Sequence, residues 1–386
     1  MPHYRRAGEV PPKRHLRVDH PSGTGYLHEE LMGVRGFSAD SALLYHLHSP
    51  SAIVAVEPVP DPAAPTFAAD HPLVPRHLRT SKLAGGADLV TGRRRLLGNA
   101  DVTLSWVLAE GPSDLYRDAV GDELLYLHSG TAVLETVFGA VEVAAGDYVV
   151  VPAGTTHRWV PSEPVGALVL ETTGHVSFPD RYLSPTGQFL EGSPFSERDL
   201  RPPAAPVTEE GTEVPVLVRT GAGLTRHVHA RHPFDVVAWD GCLYPFALSI
   251  HAFEPIVGAI HQPPPVHQTF AGPNLVVCSF VPRPFDFHPR ALKVPYHHAN
   301  VDSDEVILYC AGDFMSRAGA GIGEGSLTWH PPGFVHGPQP GSVERAVHAE
   351  RTEELAVMVD TFHRLELSDE ARHVADEDYP WSWAGP

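Results

Sequence analysis

The chain has 386 residues, a length that suggests two domains or one large two-part β fold. Its 34 glycines and 39 prolines make up about a fifth of the chain and exclude a long-helix or coiled-coil protein, because proline interrupts helices. A net charge of −19, from 28 Lys and Arg against 47 Asp and Glu, argues against nucleic-acid and membrane partners, since both are negatively charged.

Apolar and β-branched runs predict strands along most of the chain. In chain order these runs are Ala132–Val137, Val141–Val143, Tyr148–Val151, Ala167–Leu170, Val214–Val218, Val276–Val281 and Glu305–Leu308. Short helices are predicted near Ser196–Leu200 and Leu365–Ala375, and proline-rich stretches at Pro58–Pro65 and Arg201–Pro206 predict linkers or surface loops. The pattern indicates an all-β sandwich or barrel.

The cysteines and the N-terminus indicate the compartment. Cys242, Cys278 and Cys310 are widely spaced and form no CxxC pair, which is typical of small buried side chains in a reducing environment. The N-terminus lacks an apolar signal core, and no segment approaches the roughly 20 apolar residues that a membrane span needs. We therefore expect a cytoplasmic protein with no membrane contact.

One sequence pattern occurs twice in the chain. Glu123 precedes Gly130 by seven positions, and a G-x5-P-x-G-x2-H string then ends at His157. In the second half Glu305 precedes Gly312 by the same interval, and the same string ends at His336. Two such strings in the same order indicate two copies of one structural unit.

The paired strings resemble the two motifs of the cupin superfamily, whose fold is a small double-stranded β-barrel. The resemblance implies an all-β bicupin, with two jelly-roll barrels of the double-stranded β-helix type, a β-rich N-terminal extension and few short helices. We expect an N-terminal domain over residues 1–240, with its barrel core at about 105–175, and a C-terminal cupin domain over residues 241–386.

The two copies differ in the residues that could bind a metal. The second offers His298, Glu305 and His336, with Asn300 where cupins have a fourth ligand. Two histidines and one carboxylate form the facial triad of non-haem Fe(II) oxygenases, which leaves positions open for O2 and substrate. The alternative is that these are ordinary polar residues lining a barrel.

The first copy has only two of the positions, Glu123 and His157, because Tyr116 and Asp118 stand where the preceding histidines would be. We therefore expect the first barrel to be degenerate and free of metal, and the iron site to lie in the C-terminal domain.

Segments along the whole chain resemble homogentisate 1,2-dioxygenases. They are YRRAGEVPPKRH at 4–15, YLHEELMGVRGFS at 26–38, GDELLY at 121–126, PAGTTHR at 152–158, PFDVVAWDG at 233–241, YHHAN at 296–300 and HGP at 336–338. The segment at 233–241 is the most specific to that family. The cupin motifs alone are not specific to it.

The resemblance implies an enzyme that opens the ring of homogentisate with O2 to give maleylacetoacetate, in tyrosine and phenylalanine breakdown. It implies Fe(II) bound by His298, Glu305 and His336, and His261 as the catalytic residue that accepts or relays a proton near the substrate hydroxyl. The family also suggests a homo-oligomer, a trimer or a hexamer.

Four further residues are candidates for contact with the substrate: Tyr296, Phe314, Arg317 and His330. Arg317 is the nearest cation in sequence for a substrate carboxylate. Phe314 departs from the family, which commonly has a tyrosine nine residues after the glutamate ligand. The missing hydroxyl group weakens the inference of substrate specificity.

Three alternatives remain open at the sequence level. The first is an Fe(II) dioxygenase for another hydroquinone-type ring, such as gentisate or a natural-product intermediate. The second is a bicupin that binds a ligand without turnover. The third is a zinc or manganese cupin isomerase, which would normally need the fourth ligand that Asn300 replaces.

Overall fold

A computed structural model describes residues 3–61, 66–317 and 321–384 of the chain, and most of its regular structure is β. The first fourteen strands are β1 Arg5–Ala7, β2 His28–Gly33, β3 Ser41–His46, β4 Ile53–Val59, β5 Phe67–Ala68, β6 Arg76–Arg79, β7 Arg94–Gly98, β8 Val102–Ala109, β9 Tyr116–Asp118, β10 Glu123–Ser129, β11 Thr131–Thr136, β12 Gly139–Ala144, β13 Asp147–Val151 and β14 His157–Pro161.

The remaining strands are β15 Val165–Thr172, β16 Leu200–Arg201, β17 Val214–Thr220, β18 Gly223–His229, β19 Val236–Gly241, β20 Phe246–Ser249, β21 Gln268–Gly272, β22 Leu275–Phe280, β23 Arg283–Pro284, β24 Asp304–Ala311, β25 Ser326–His330, β26 Arg351–Thr352, β27 Leu355–Thr361 and β28 Glu366–Ser368. The helices are α1 Ser342–Ala346, α2 Asp369–Val374 and the 3-10 turns Thr80–Lys82, Asp180–Tyr182, Ile250–Ala252, Pro264–His267, Met315–Arg317 and Tyr379–Ala384.

Two sheets build the first barrel. One has the strand order β16-β20-β13-β10-β15-β8-β7-β28-β5, and the other has the order β12-β11-β14-β9-β17-β18-β4. Alternation along β12 shows why the sheets pack together: Val141 and Val143 are buried, whereas Glu142 is exposed. Trp159 and Leu134 in the core between the sheets are fully buried. Each large apolar side chain buried in this way contributes about 2 kcal/mol.

The second barrel has one regular wall and one irregular wall. The regular wall is the six-stranded sheet β21-β22-β27-β24-β25-β6. On the opposite side the strand structure is the short pair β23–β26 and an isolated bridge between His298 and His336. A separate sheet, β1-β19-β3-β2, contains the N-terminal strands. The predicted class, an all-β chain of cupin barrels, is confirmed.

The two halves of the chain exchange strands. From the N-terminal half, β6 pairs with β25 of the second barrel, and β5 and β7 pair with the C-terminal strand β28. In the other direction β20 pairs with β13 of the first barrel. The domain boundary at residue 240 stays a prediction, and the sheets continue across it.

All seven predicted strands are confirmed, but the helix predictions are not uniformly right. Part of Leu365–Ala375 forms α2, where Ser368 caps the helix by accepting a hydrogen bond from the Ala371 amide at 3.1 Å. The predicted helix at Ser196–Leu200 is wrong. The Asp199 carboxylate accepts from the Ser196 amide at 2.8 Å and closes a turn, which leads into β16.

The two proline-rich stretches differ in how far they form the predicted loops. Pro58 belongs to β4 and not to a loop, a position that proline tolerates because β4 is the edge strand of its sheet. Residues 62–65 of that stretch lie outside the described residues. The stretch at 201–206 is a loop after its first residue, as predicted. Over the described ranges, no helix has both the length and the apolar character to cross a bilayer.

Buried histidine–carboxylate pairs connect distant segments of the fold. His46 on β3, which is 2% exposed, lies between Asp235, 2.7 Å from its Nδ1, and Glu30, 2.9 Å from its Nε2. Burial alone would lower the pKa of His46, but the hydrogen bonds to the two carboxylates outweigh it and raise the pKa to about 9. His46 is therefore a buried cation at neutral pH.

This shift predicts a pH-dependent stability. Because the folded-state pKa of His46 lies above its ordinary value of 6.5, the stabilisation is fully present below pH 6.5 and is lost as pH rises through about 9. We expect the urea midpoint of the wild type to fall over this window. His46→Gln should remove up to about 3 kcal/mol of the free energy of unfolding at pH 6.5 and flatten the dependence. The exposed control His28→Gln should keep the wild-type slope, and an equal slope in His46→Gln would contradict the assignment.

Candidate metal centre

The three predicted ligands come together at the inner face of the regular wall. Glu305 lies near the start of β24, which is hydrogen-bonded between β25 and β27. His298 and His336 face each other across two reciprocal backbone hydrogen bonds of 2.8 Å, so their rings lie 4.3 Å apart. The central strand therefore fixes the carboxylate, and the bridge fixes the two imidazoles.

The ring nitrogens are oriented for metal binding. The Nδ1 atoms of His298 and His336 lie 3.1 Å from the carbonyl oxygens of Tyr296 and Phe334. If each Nδ1 carries the proton, the Nε2 lone pairs point inward, 3.5 Å and 3.2 Å from the Glu305 oxygens. Nε2 of His336 is buried and has no hydrogen-bond partner among the residues that the structure describes. An unsatisfied buried nitrogen beside a carboxylate fits a position that a metal ion occupies.

The surrounding groups keep Glu305 ionised. Burial would raise its pKa, but the contacts with His298, His330 and His336 outweigh burial and hold the pKa well below its usual range. The contact with Glu305 in turn raises the pKa of His298. The set is two imidazoles and one anionic carboxylate, with the donor atoms within 4.8 Å of one another.

Asn300 does not join this set. Its side-chain amide donates to the Ser303 hydroxyl at 3.0 Å, away from the triad. The triad therefore offers one face to a divalent metal and leaves the other face for exogenous ligands, the arrangement that suits non-haem iron.

His330 and Tyr379, which lie behind the triad, orient the Glu305 carboxylate. His330 is fully buried, and burial lowers its pKa to about 3, so it is neutral. Its Nδ1 lies 2.8 Å from Glu305, and its Nε2 lies 2.8 Å from the Tyr379 hydroxyl. Since a neutral imidazole has one donor and one acceptor, this geometry suits Tyr379 donating to His330 and His330 donating to Glu305.

A cavity of about 190 Å³ adjoins the triad, and both His298 and Glu305 reach its wall. Part of the lining is apolar: Ile256, Val257, Phe280, Ile307 and Met358. Ionisable or hydrogen-bonding side chains also line it, among them His261, His267, Arg283, Lys293, Tyr296, Tyr309, Arg317 and Glu354. This mixture is typical of a site for a small molecule with an apolar body and an acidic group.

Of the other predicted site residues, some line the cavity and others pack behind its wall. His261 and Tyr296 line the cavity, and their rings are in edge contact at 5.1 Å. His330 lies behind Glu305. Phe314 is buried, packs edge-on against Tyr309 at 5.3 Å and is not among the described residues that form the wall.

Arg317 reaches the wall but is engaged by the protein. It is 4% exposed, and it donates to the Gly337 carbonyl at 2.5 Å and to the Tyr309 hydroxyl at 3.2 Å. Its guanidinium also lies over the Trp383 ring at 5.3 Å. Arg283 and Lys293 are the other cations at the wall, and the sequence analysis did not identify them or Tyr379. No motif carries these residues, because they reach the site through tertiary packing.

The corresponding position in the first barrel is filled differently. Glu123 on β10 forms an ion pair with Arg93, which also lies 3.1 Å from Glu171. Arg219 binds Asp118, so the three clustered carboxylates are neutralised by guanidinium groups. This arrangement favours arginine over a metal ion here, and the metal-free first barrel stays a prediction.

Comparisons with known proteins indicate the family of this chain. Residues 81–250 match the family model described as Homogentisate 1,2-dioxygenase N-terminal. The chain is 39% identical to the "Putative dioxygenase" of Saccharolobus solfataricus, over 99% of both chains. It is 25% identical to the homogentisate 1,2-dioxygenase of Bradyrhizobium diazoefficiens over 70% of this chain, and 26% identical to that of Emericella nidulans over 68%.

This chain covers 62% of each of these two longer homogentisate 1,2-dioxygenases. Among solved structures, the cupin 2 conserved barrel domain protein from Leptotrichia buccalis matches 77% of this chain and all of its own, with 9% identity and a TM-score of 0.37.

The fold and the site define a β-barrel protein of the cupin class with a three-residue centre suited to a metal. The chain belongs to the homogentisate 1,2-dioxygenase family.

We expect substitution of the repeated glutamate to affect iron binding differently in the two barrels. We expect Glu305→Ala and His336→Ala each to abolish iron binding and oxygen uptake together, because each removes a ligand of the triad. Iron per chain after anaerobic loading and removal of free metal measures this, and full turnover by either variant would contradict the triad.

Glu123→Gln is the matched control in the first barrel. It should keep one iron per chain but lower the free energy of unfolding by about 3 kcal/mol, because Arg93 loses a buried partner. Loss of iron in Glu123→Gln, with the fold intact by circular dichroism, would contradict a metal-free first barrel.

Proposed function

We propose that this protein is a non-haem Fe(II)-dependent ring-cleaving dioxygenase that converts homogentisate and O2 to maleylacetoacetate, in tyrosine and phenylalanine breakdown. The observation that carries the proposal is the triad His298, Glu305 and His336, open on one face toward the cavity. The expectations of a cytoplasmic trimer or hexamer go with this function and stay predictions.

The donor set suits iron more than the metals of the isomerase alternative. Two imidazoles and one carboxylate leave three of six octahedral positions free, and Asn300, bonded to Ser303, does not take one of them. When bound, Fe(II) supplies a Lewis acid that lowers the pKa of a coordinated phenolic hydroxyl and a position at which O2 binds.

The cavity suits an aromatic acid. Phe280, Ile307 and Met358 provide an apolar surface for a ring, and Arg283 and Lys293 provide positive charge for a carboxylate arm. Arg317 adds positive charge to the wall, although the Gly337 carbonyl and the Tyr309 hydroxyl already accept two of its hydrogen bonds.

His261 is the proposed acid–base residue. It lies at the cavity wall with its Nδ1 3.8 Å from the Asp286 carboxylate and its ring against Tyr296. An imidazole at this position can accept the proton of a substrate hydroxyl and return it later, while Asp286 and Tyr296 limit the rotation of the ring. Its partly exposed side chain also gives that proton a path to solvent.

One test of this proposal measures the reaction itself. After anaerobic loading with Fe(II), addition of homogentisate and O2 should give oxygen uptake equal to the maleylacetoacetate formed, as measured with an oxygen electrode and by product absorbance. Loaded iron without uptake would contradict homogentisate as the substrate while leaving the metal centre intact.

A panel of para-dihydroxy aromatics separates the alternative substrates. Phe314, in place of the tyrosine that the family commonly has, motivates the alternative of gentisate or another hydroquinone. Faster turnover of gentisate than of homogentisate would favour that alternative. A preparation that binds no iron anaerobically would favour the non-catalytic bicupin.

A separate test concerns the role of His261. We expect His261→Ala to bind iron normally but to lose about 100-fold in kcat, because positioned proton-transfer groups contribute rate factors of this order. His348→Ala, at an exposed position outside the cavity, is the control and should match the wild type. An unchanged rate in His261→Ala would show that His261 has only a packing role.

A further inference from the structure

A second cavity, of about 50 Å³, lies apart from the metal centre and shares no lining residue with the first cavity. It forms where β2, β3, β9 and β18 approach the loop before β19. The charged and titratable side chains that line it are Glu30, His46, His48, Arg117, His229, Arg231, His232 and Asp235. Neither the triad nor the proposed reaction uses this set.

Both carboxylates of this cavity already have partners. Asp235 accepts from Nδ1 of His46 at 2.7 Å and from the His48 amide at 2.8 Å, and Nδ1 of His48 lies 3.1 Å away. Glu30 is bonded to Nε2 of His46 at 2.9 Å. A protonated His46 therefore neutralises part of their charge, and these carboxylates are not arranged to hold a cation.

The hydrogen-bond donors of the second cavity have fewer protein partners than its carboxylates have. Arg117 donates from Nε to the Thr156 hydroxyl at 2.8 Å, and no carboxylate in the described parts of the chain lies within ion-pair distance of it. Glu30, on the same cavity wall, attracts its charge at longer range. Burial lowers the pKa of Arg117, although the guanidinium remains charged at neutral pH. The two terminal nitrogens of this guanidinium can still bind an acceptor.

His229 provides a second, independent observation. It is 5% exposed, lines the same cavity and has a buried Nε2 for which the described part of the chain provides no hydrogen-bond partner. Burial, followed by the neighbouring Arg117 and His227, lowers its pKa to about 4, so it is a neutral donor or acceptor. Buried nitrogens normally have partners, so this one indicates a ligand or water. Arg231, at an exposed position, adds a second guanidinium group to the lining.

We propose that this cavity is a binding site for a small oxyanion, such as phosphate or a short carboxylate, held by the guanidinium of Arg117 and Nε2–H of His229. A planar guanidinium binds two oxygens of one such group at once, and a neighbouring N–H donor fits a further oxygen. The same guanidinium repels metal cations. The small volume restricts the ligand to a few heavy atoms.

The test titrates the intact iron-loaded protein with inorganic phosphate, and separately with acetate, at constant ionic strength set by chloride. We expect a saturable rise in the melting temperature and a binding isotherm with one site per chain, because ligands that bind only the native state stabilise it. Arg117→Met should weaken binding at least ten-fold, and Arg117→Lys should recover part of it, since lysine keeps the charge but not the paired donors.

Arg226→Met is the matched control, because Arg226 lies on β18 but pairs with the exposed Glu57 outside the cavity. It should bind phosphate like the wild type. His229→Asn provides an independent variant if Arg117→Met does not fold, and it should also weaken binding.

Three results would overturn the proposal. One is an equal effect of phosphate, acetate and chloride on the wild type. The second is binding to a folded Arg117→Met variant as tight as to the wild type, which would place the anion at the iron or elsewhere. The third is unchanged binding in His229→Asn. A response to acetate but not phosphate identifies the ligand as a carboxylate, and the reverse result identifies a phosphate.

Discussion

The buried Glu305 carboxylate is the group on which the rest of the site depends. A buried anion is costly unless other groups compensate it, and here three imidazoles do so. His298 and His336 provide metal-directed nitrogens, and His330 connects the carboxylate to the Tyr379 hydroxyl. The central position of β24 keeps Glu305 in place while the irregular wall opposite leaves room for a cavity.

The first barrel satisfies the same requirement in another way. Glu123 occupies the equivalent place in the repeated pattern, yet its partner is the guanidinium of Arg93. A guanidinium and a divalent metal both neutralise clustered carboxylates, but only the metal leaves open coordination positions. The two barrels therefore share a buried glutamate at the same place in the repeated pattern, and they differ in the side chains that neutralise it.

The polar side chains of the main cavity differ in how far the protein already uses them. Arg317 supports the site through its hydrogen bond to Gly337 and its position over Trp383. His261 lines the cavity with its Nδ1 3.8 Å from the Asp286 carboxylate. Arg283 and Lys293 also line it, and each donates one hydrogen bond to a backbone carbonyl, of Val281 and Asp286 respectively. The same distinction applies in the second cavity, where Glu30 and Asp235 are hydrogen-bonded but His229 has a buried nitrogen without a partner in the described ranges. In both cavities the incompletely bonded groups indicate the chemistry of a ligand.

The sequence by itself determined the β class, because a strand alternates with period two, and its two repeated strings, through their resemblance to the cupin motifs, indicated two barrels and the residues of the triad. Tertiary structure alone placed Arg93 beside Glu123, Tyr379 beside His330, and Leu200 of β16 beside Leu248 of β20. Such contacts join residues tens of positions apart, and no local periodicity or motif encodes them, since they depend on how whole sheets pack.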